Sequence, residues 1–96
     1  MRLYQNVIIL RKKIIDLPFL FNQPRVTKKP YKYKNNSVYE GQWKGGFRDG
    51  KGKMEWPDGA TYTGDWILGY AHGKGTFIDV VGNIYEGEFY MNMAHR

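Results

Sequence analysis

Tyr39-Glu40-Gly41-Gln42-Trp43 recurs as Tyr62-Thr63-Gly64-Asp65-Trp66 and again as Tyr85-Glu86-Gly87-Glu88-Phe89, 23 residues apart each time. The second half of the unit keeps the same register. Gly50-Lys51-Gly52-Lys53-Met54 aligns with Gly73-Lys74-Gly75-Thr76-Phe77, and Gly59 aligns with Gly82. So short a period leaves room for one supersecondary unit per repeat, and such a unit buries its apolar side against its neighbours.

Each unit reads as a β-hairpin. Tyr39, Gly41 and Trp43 share one parity and point to one face of a strand, as do Gly50, Gly52, Met54 and Trp56 on the next. Gly45-Gly46-Phe47-Arg48-Asp49 supplies the turn between them, and Trp56-Pro57-Asp58-Gly59 the tight turn to the next unit. Val80-Val81-Gly82-Asn83 is the weaker counterpart of that second turn. The pattern predicts antiparallel strands near 38–44, 51–56, 61–67, 74–79 and 84–90. A single-layer sheet has no second layer to pack on, so its rings must lie across neighbouring strands. A glycine facing such a ring leaves room for it, and the ring covers the bare backbone. By this reasoning Gly41, Gly50 and Gly52 make space for rings, while Gly45 and Gly46 turn the chain. Each buried ring can remove about 150–250 Å² from water.

These residues resemble the MORN (membrane occupation and recognition nexus) repeat family: Tyr-x-Gly-x-Trp/Phe, a short loop, Gly-x-Gly, then Asp-Gly-x-x-Tyr. The resemblance covers 39–61 and 62–84 as complete units and 85–96 as a truncated third. It rests on Tyr39, Gly41, Trp43, Gly50, Gly52, Met54, Trp56 and Gly59, then Tyr62, Gly64, Trp66, Gly73, Gly75, Phe77 and Gly82, then Tyr85, Gly87 and Phe89. A degenerate half-repeat or linker is expected at 29–38, where Tyr31 and Tyr33 stand at the Met54 and Trp56 positions and Asn36 at the Gly59 position. The resemblance implies an all-β, elongated, curved, single-layer antiparallel sheet of repeated hairpins. It implies a non-catalytic scaffold or targeting module in a cytoplasmic, cytoskeletal, ciliary or membrane-proximal setting. Similar repeats also accompany lipid-kinase and methyltransferase domains, which makes an accessory region of an enzyme an alternative. The partner would be another protein, laying an extended or helical segment on the aromatic face or adding a strand at the C-terminal edge. Strand 84–90 has no following partner in the sequence, so a longer array or an edge-to-edge homodimer would complete it.

The positive charge lies elsewhere. Residues 1–38 carry nine basic groups and one acid, whereas residues 39–96 carry six basic and eight acidic groups. Residues 1–28 form an arm outside the repeats. Its apolar run Val7–Leu10 is four residues long, far short of the ~20 a transmembrane helix needs. No small-residue cleavage site marks a secretory signal. A short helix over about 4–16, ended by Pro18, or else a disordered or extended arm is expected, since Ile9 and Leu10 spoil the apolar face of the helix. Arg11, Lys12, Lys13, Lys28, Lys29, Lys32 and Lys34 are candidate contacts to an anionic membrane surface.

Other chemistries fit poorly. Gly45 through Lys51 has the spacing of a phosphate-binding loop, but Gly52 stands where that loop needs a Ser or Thr for Mg²⁺. Ser37 is the sole serine, and His72 and His95 occupy the repeat position of Asp49, which marks turn residues. There is no cysteine. No catalytic residue, metal site or cofactor is therefore assigned. Nucleic acid is a weaker partner, because the aromatic part of the chain is net acidic and packing accounts for its rings. The acids Glu40, Asp65, Glu86 and Glu88 are expected on the face opposite the aromatics.

Overall fold

The computed structural model describes residues 7–10, 13–16, 19 and 22–93, with side chains over 19 and 22–90. These residues are almost all strand. A ribbon of β1 (Val7–Leu10) and β2 (Lys13–Asp16) stands as its own two-stranded sheet. The second sheet holds β3 (Arg25–Thr27), β4 (Tyr31–Lys32), β5 (Val38–Lys44), β6 (Phe47–Glu55), β7 (Thr61–Ile67), β8 (Tyr70–Ile78) and β9 (Ile84–Met93). Its order follows the chain, β3-β5-β6-β7-β8-β9, with β4 pairing β5 beside β3. Every pairing is antiparallel. The sheet is open: its path runs from β3 to β9 without closing.

The helix expected over 4–16 is corrected: Val7–Leu10 pairs with Lys13–Asp16, Ile8 opposite Ile15 and Ile9 opposite Ile14. Val7, Ile8, Ile9, Ile14 and Ile15 are β-branched and lose χ1 freedom in a helix, which outweighs an apolar face that was never cleanly segregated. Residues 4–6, 11 and 12 of that expectation lie outside the described residues.

The second strand of each hairpin also starts earlier than expected, at Phe47 and Tyr70 instead of 51 and 74. The turn is two residues long. Gly45 and Gly46 take φ 55° and 87°, and Leu68 and Gly69 take 50° and 84°. Two successive positive φ values let a tight hairpin follow the right-handed twist of its strands. Leu68 holds this conformation at a cost of roughly 1–2 kcal/mol that glycine does not incur.

Three inter-hairpin loops share one geometry. The amides of Tyr33, Trp56 and Asp79 donate to the carbonyls of Ser37, Ala60 and Asn83, at 2.8, 2.9 and 3.0 Å. Asn36, Gly59 and Gly82 take φ 74°, 95° and 97°. The first loop lies in the segment that links β4 to β5, so the 23-residue register runs back into the basic part of the chain.

A row of glycines crosses the sheet. Gly41 stands opposite Gly52, Gly52 opposite Gly64, Gly64 opposite Gly75 and Gly75 opposite Gly87. Over this row lie the tyrosines. A Cβ on Gly52 would sit 2.1 Å from the Tyr39 hydroxyl oxygen, and one on Gly75 would sit 2.2 Å from that of Tyr62. The register shifts between Gly41 and Trp43, between Gly64 and Trp66, and between Ala71 and Gly73. Each such bulge bends its strand and adds twist.

Candidate interaction surface

The rings are the core. Tyr39, Trp43, Met54, Trp56, Ala60, Tyr62, Trp66 and Ala71 are buried together, with Tyr33, Phe77 and Phe89 packed against them. Trp66 joins two repeats, meeting Tyr39 edge-to-face at 5.3 Å and Tyr62 at 5.1 Å between centroids. Its indole N–H donates to the Gly52 carbonyl at 2.9 Å. The Arg48 guanidinium lies 5.1 Å from the Trp66 ring and 5.5 Å from Tyr33, and donates to the Gly69 carbonyl at 2.6 Å. The Tyr39 hydroxyl donates to the Gln42 carbonyl at 2.8 Å, and the Tyr62 hydroxyl to that of Asp65 at 3.0 Å. The sequence signature thus gathers at one place, but most of it is spent on packing. Of the signature rings only Tyr85 is largely exposed.

One glycine role is corrected. Gly50 does not clear space for a ring. A Cβ there would meet the Gln42 side-chain oxygen at 2.4 Å and Arg25 Cδ at 2.6 Å. Gly73 makes the same room for Asp65, at 2.8 Å. Gln42 and Asp65 are the residues displaced by the bulges. Each turns its side-chain oxygen back to accept the backbone N–H of the lysine between two glycines, Lys51 at 2.7 Å and Lys74 at 3.1 Å. The space at Gly50 also admits Arg25, which reaches across the sheet to pair with the buried Asp49 carboxylate at 2.6 Å.

Burial gives the two covered tyrosines unusual acidities. Loss of solvent pushes Tyr62 up to about 12 and pushes Tyr39 up as well. The folded chain therefore holds both phenols neutral at a pH where an exposed tyrosine, near 10, ionises. Their contribution to stability is fully present below pH 10 and is lost as pH rises through the folded values. Urea midpoints of the wild type are expected to stay level from pH 7 to 9 and then fall steeply between pH 10 and 12. Tyr62→Phe lowers the midpoint at neutral pH and makes that alkaline fall shallower.

On the opposite face Glu40, Glu86 and Glu88 are exposed, while Asp65 is half-buried and pairs with Lys51. The Lys51 side chain, with the Lys74 N–H, holds the Asp65 carboxyl below the usual carboxylate range. Glu40 lies opposite Lys53, and Glu88 opposite Lys74. Acids on β5, β7 and β9 alternate with lysines on β6 and β8.

A cleft of about 320 Å³ opens at the basic end of the sheet, lined by Lys28, Lys29, Tyr31, Tyr33, Trp43 and Gly46. It exists because β3 and β4 are separate strands. Lys28 still donates its N–H to the Gly41 carbonyl at 3.4 Å, and Lys29-Pro30 then leaves the ladder, as a proline with no N–H to give must. Tyr31 stands edge-on to Tyr33 at 4.8 Å and to Trp43 at 5.8 Å, and the Lys28 ammonium lies 5.6 Å from the Trp43 ring. Trp43 occupies the position of Trp66, but its buried indole N–H has no acceptor. The residue 23 before Gly52 is Lys29, inside the interrupted segment, so the equivalent carbonyl is not delivered. Lys28, Lys29, Lys32 and Lys34 are exposed. Arg11 and Lys12 lie outside the described residues, as does His95. Sequence reasoning placed the lysines but missed the cleft; Pro30, inside an otherwise strand-like register, is the signal that could have found it.

Among the described residues no helix is long and apolar enough to cross a membrane. The family model for the MORN repeat matches residues 39–61, 62–84 and 85–96. No curated protein matches the chain.

Proposed function

The chain belongs to the MORN repeat family, and we propose that it is a non-catalytic scaffold or targeting module that takes an acidic, extended segment of another protein into the cleft beside β4. MORN repeats are interaction modules, for proteins or for membranes. The observation that carries the reading is the cleft itself. Exposed Lys28 and Lys29 flank an aromatic floor whose Trp43 N–H is unpaired. An acidic chain would meet two cations on aromatic walls, where desolvation makes each contact stronger than at an open surface. The setting suggested by the family is cytoskeletal, ciliary or membrane-proximal.

An anionic phospholipid surface is the second reading. Four exposed lysines within residues 28–34 favour it, at ~1 kcal/mol for each one near such a surface. Titration of the full chain with an alternating Glu-Leu peptide, followed by Trp fluorescence, separates the two. Saturable binding that Lys28→Glu with Lys29→Glu weakens about tenfold, or ~1.4 kcal/mol, supports the cleft. Binding to phosphatidylserine vesicles that is lost only when Lys32 and Lys34 are also reversed supports the lipid reading. Turnover of any substrate by this chain alone would contradict both.

A further inference from the structure

The cleft beside β4 is lined by groups that give hydrogen bonds. Its side chains are the ammoniums of Lys28 and Lys29, the indole of Trp43 and the phenols of Tyr31 and Tyr33, with no carboxylate lining it among the described residues. Ammonium and indole groups donate and cannot accept. The Tyr33 oxygen already accepts from the Arg48 guanidinium at 3.1 Å. The Trp43 N–H is without an acceptor among the described residues, although Trp43 is only 8% exposed. At the matching position Trp66 gives its N–H to the Gly52 main-chain carbonyl, on the strand alongside. The strand alongside Trp43 is broken at Lys29-Pro30. What Gly52 supplies to Trp66 is the carbonyl of an extended chain, and that is the group the cleft calls for.

The same rim offers little to an added β-strand. The Lys28 N–H is spent on the Gly41 carbonyl, and Pro30 has none. A β-strand would also bring N–H groups of its own into a lining of donors, and a buried N–H left unpaired is costly. A proline-rich segment brings carbonyls without those N–H groups. It is extended before it binds, and it lays apolar rings on aromatic walls. Tyr31 is 51% exposed and stands at 79° to both Tyr33 and Trp43, so the rings form a corner in which a proline can sit.

We propose that the segment taken by the cleft is a polyproline II stretch carrying acids, with prolines packed against Tyr31 and Tyr33 and one main-chain carbonyl accepting the Trp43 N–H. This rests on the reading of the cleft as a site for an acidic segment, and adds the backbone form of its occupant. Polyproline II has three residues per turn, which puts every third side chain on one edge. Acids at that spacing face the lysines while the prolines between them face the rings. The Lys28 ammonium lies over the Trp43 ring at 5.6 Å, on a flexible stem. An acid of the ligand draws it off the ring, which uncovers the indole edge for the carbonyl. Lys29 meets the next acid.

The probe is the peptide Glu-Pro-Pro-Glu-Pro-Pro-Glu, blocked at both ends and added to the isotopically labelled full chain. Its control has valine for every proline, with the same length and charge. The proline peptide should bind saturably and at least about tenfold more tightly than the valine peptide. The indole N–H resonance of Trp43 should move downfield while those of Trp56 and Trp66 hold their places. Tyr31→Ala, at a half-exposed position, should erase most of the preference for proline. Equal binding of the two peptides, lost from both with Lys28→Glu and Lys29→Glu together, overturns the proline form and leaves the acidic cleft standing. Proline-peptide binding with an unmoved Trp43 resonance also overturns the proposal. Absence of binding by either acidic peptide overturns this proposal and the reading beneath it together.

Discussion

Gly52→Val is expected to cost about 3–5 kcal/mol. Its Cβ would sit 2.1 Å from the Tyr39 hydroxyl oxygen and 2.4 and 2.5 Å from two ring carbons. That ring is fully buried and held by its hydroxyl on the Gln42 carbonyl. It cannot slide aside without leaving Trp43 and Trp66, whose centroids lie 5.0 and 5.3 Å away. The mutation therefore forfeits most of what burial of a large aromatic supplies, and adds overpacking strain. The loss is one of space, since Gly52 is not among the glycines at positive φ. Gly59→Ala is the matched control: open surroundings but φ 95°. It should cost about 1–2 kcal/mol for conformation alone. Urea denaturation at pH 7 measures both. Equal losses at the two sites would mean that the ring does not rest on Gly52.

Trp66→Ala should cost about 3–5 kcal/mol, in the range of buried aromatic truncations. The indole contacts the tyrosine of its own repeat and that of the one before, carries the Arg48 guanidinium on its face, and donates to Gly52. Trp43→Ala is the comparison at the equivalent position. Trp43 gives no hydrogen bond from its indole, so its loss should be smaller by about 1 kcal/mol. A further readout follows from the joint: without Trp66 the rings of Tyr39 and Tyr62 are uncovered together, and the steep alkaline fall in stability between pH 10 and 12 should flatten. If that fall keeps its steepness, Trp66 does not cover the two tyrosines.

The proposed function places binding at the basic end of the sheet and stability in its middle. In the middle, each tyrosine has a glycine below it and a tryptophan beside it. At the β4 end a proline interrupts the register and opens a cleft. At the β9 end Tyr85 is exposed. Both ends carry charge of one sign, lysines at the first and glutamates at the last.

Much of this was legible from the 23-residue period. Spacing and parity placed β5, β7 and β9 closely, put tyrosine over glycine, and set the acids on the other face. These are properties of single strands and their immediate neighbours, and side-chain alternation encodes them directly. The period also exposed the half-built unit at Tyr85 without reference to coordinates. Other features depended on contacts between residues distant in the chain. Arg25 reaches Asp49 through the space at Gly50, and no local pattern announces a partner 24 positions away. The tight turns at Gly45-Gly46 and Leu68-Gly69 belong to backbone twist, which Gly45 meets freely and Leu68 meets at a conformational cost. The ribbon of β1 and β2 came from pairing two β-branched segments, where a helical reading weighed each face alone. Repetition determined what each strand presents; only the tertiary structure decided which presented groups found partners, because burial and pairing are settled by the neighbouring strand and not by the strand itself.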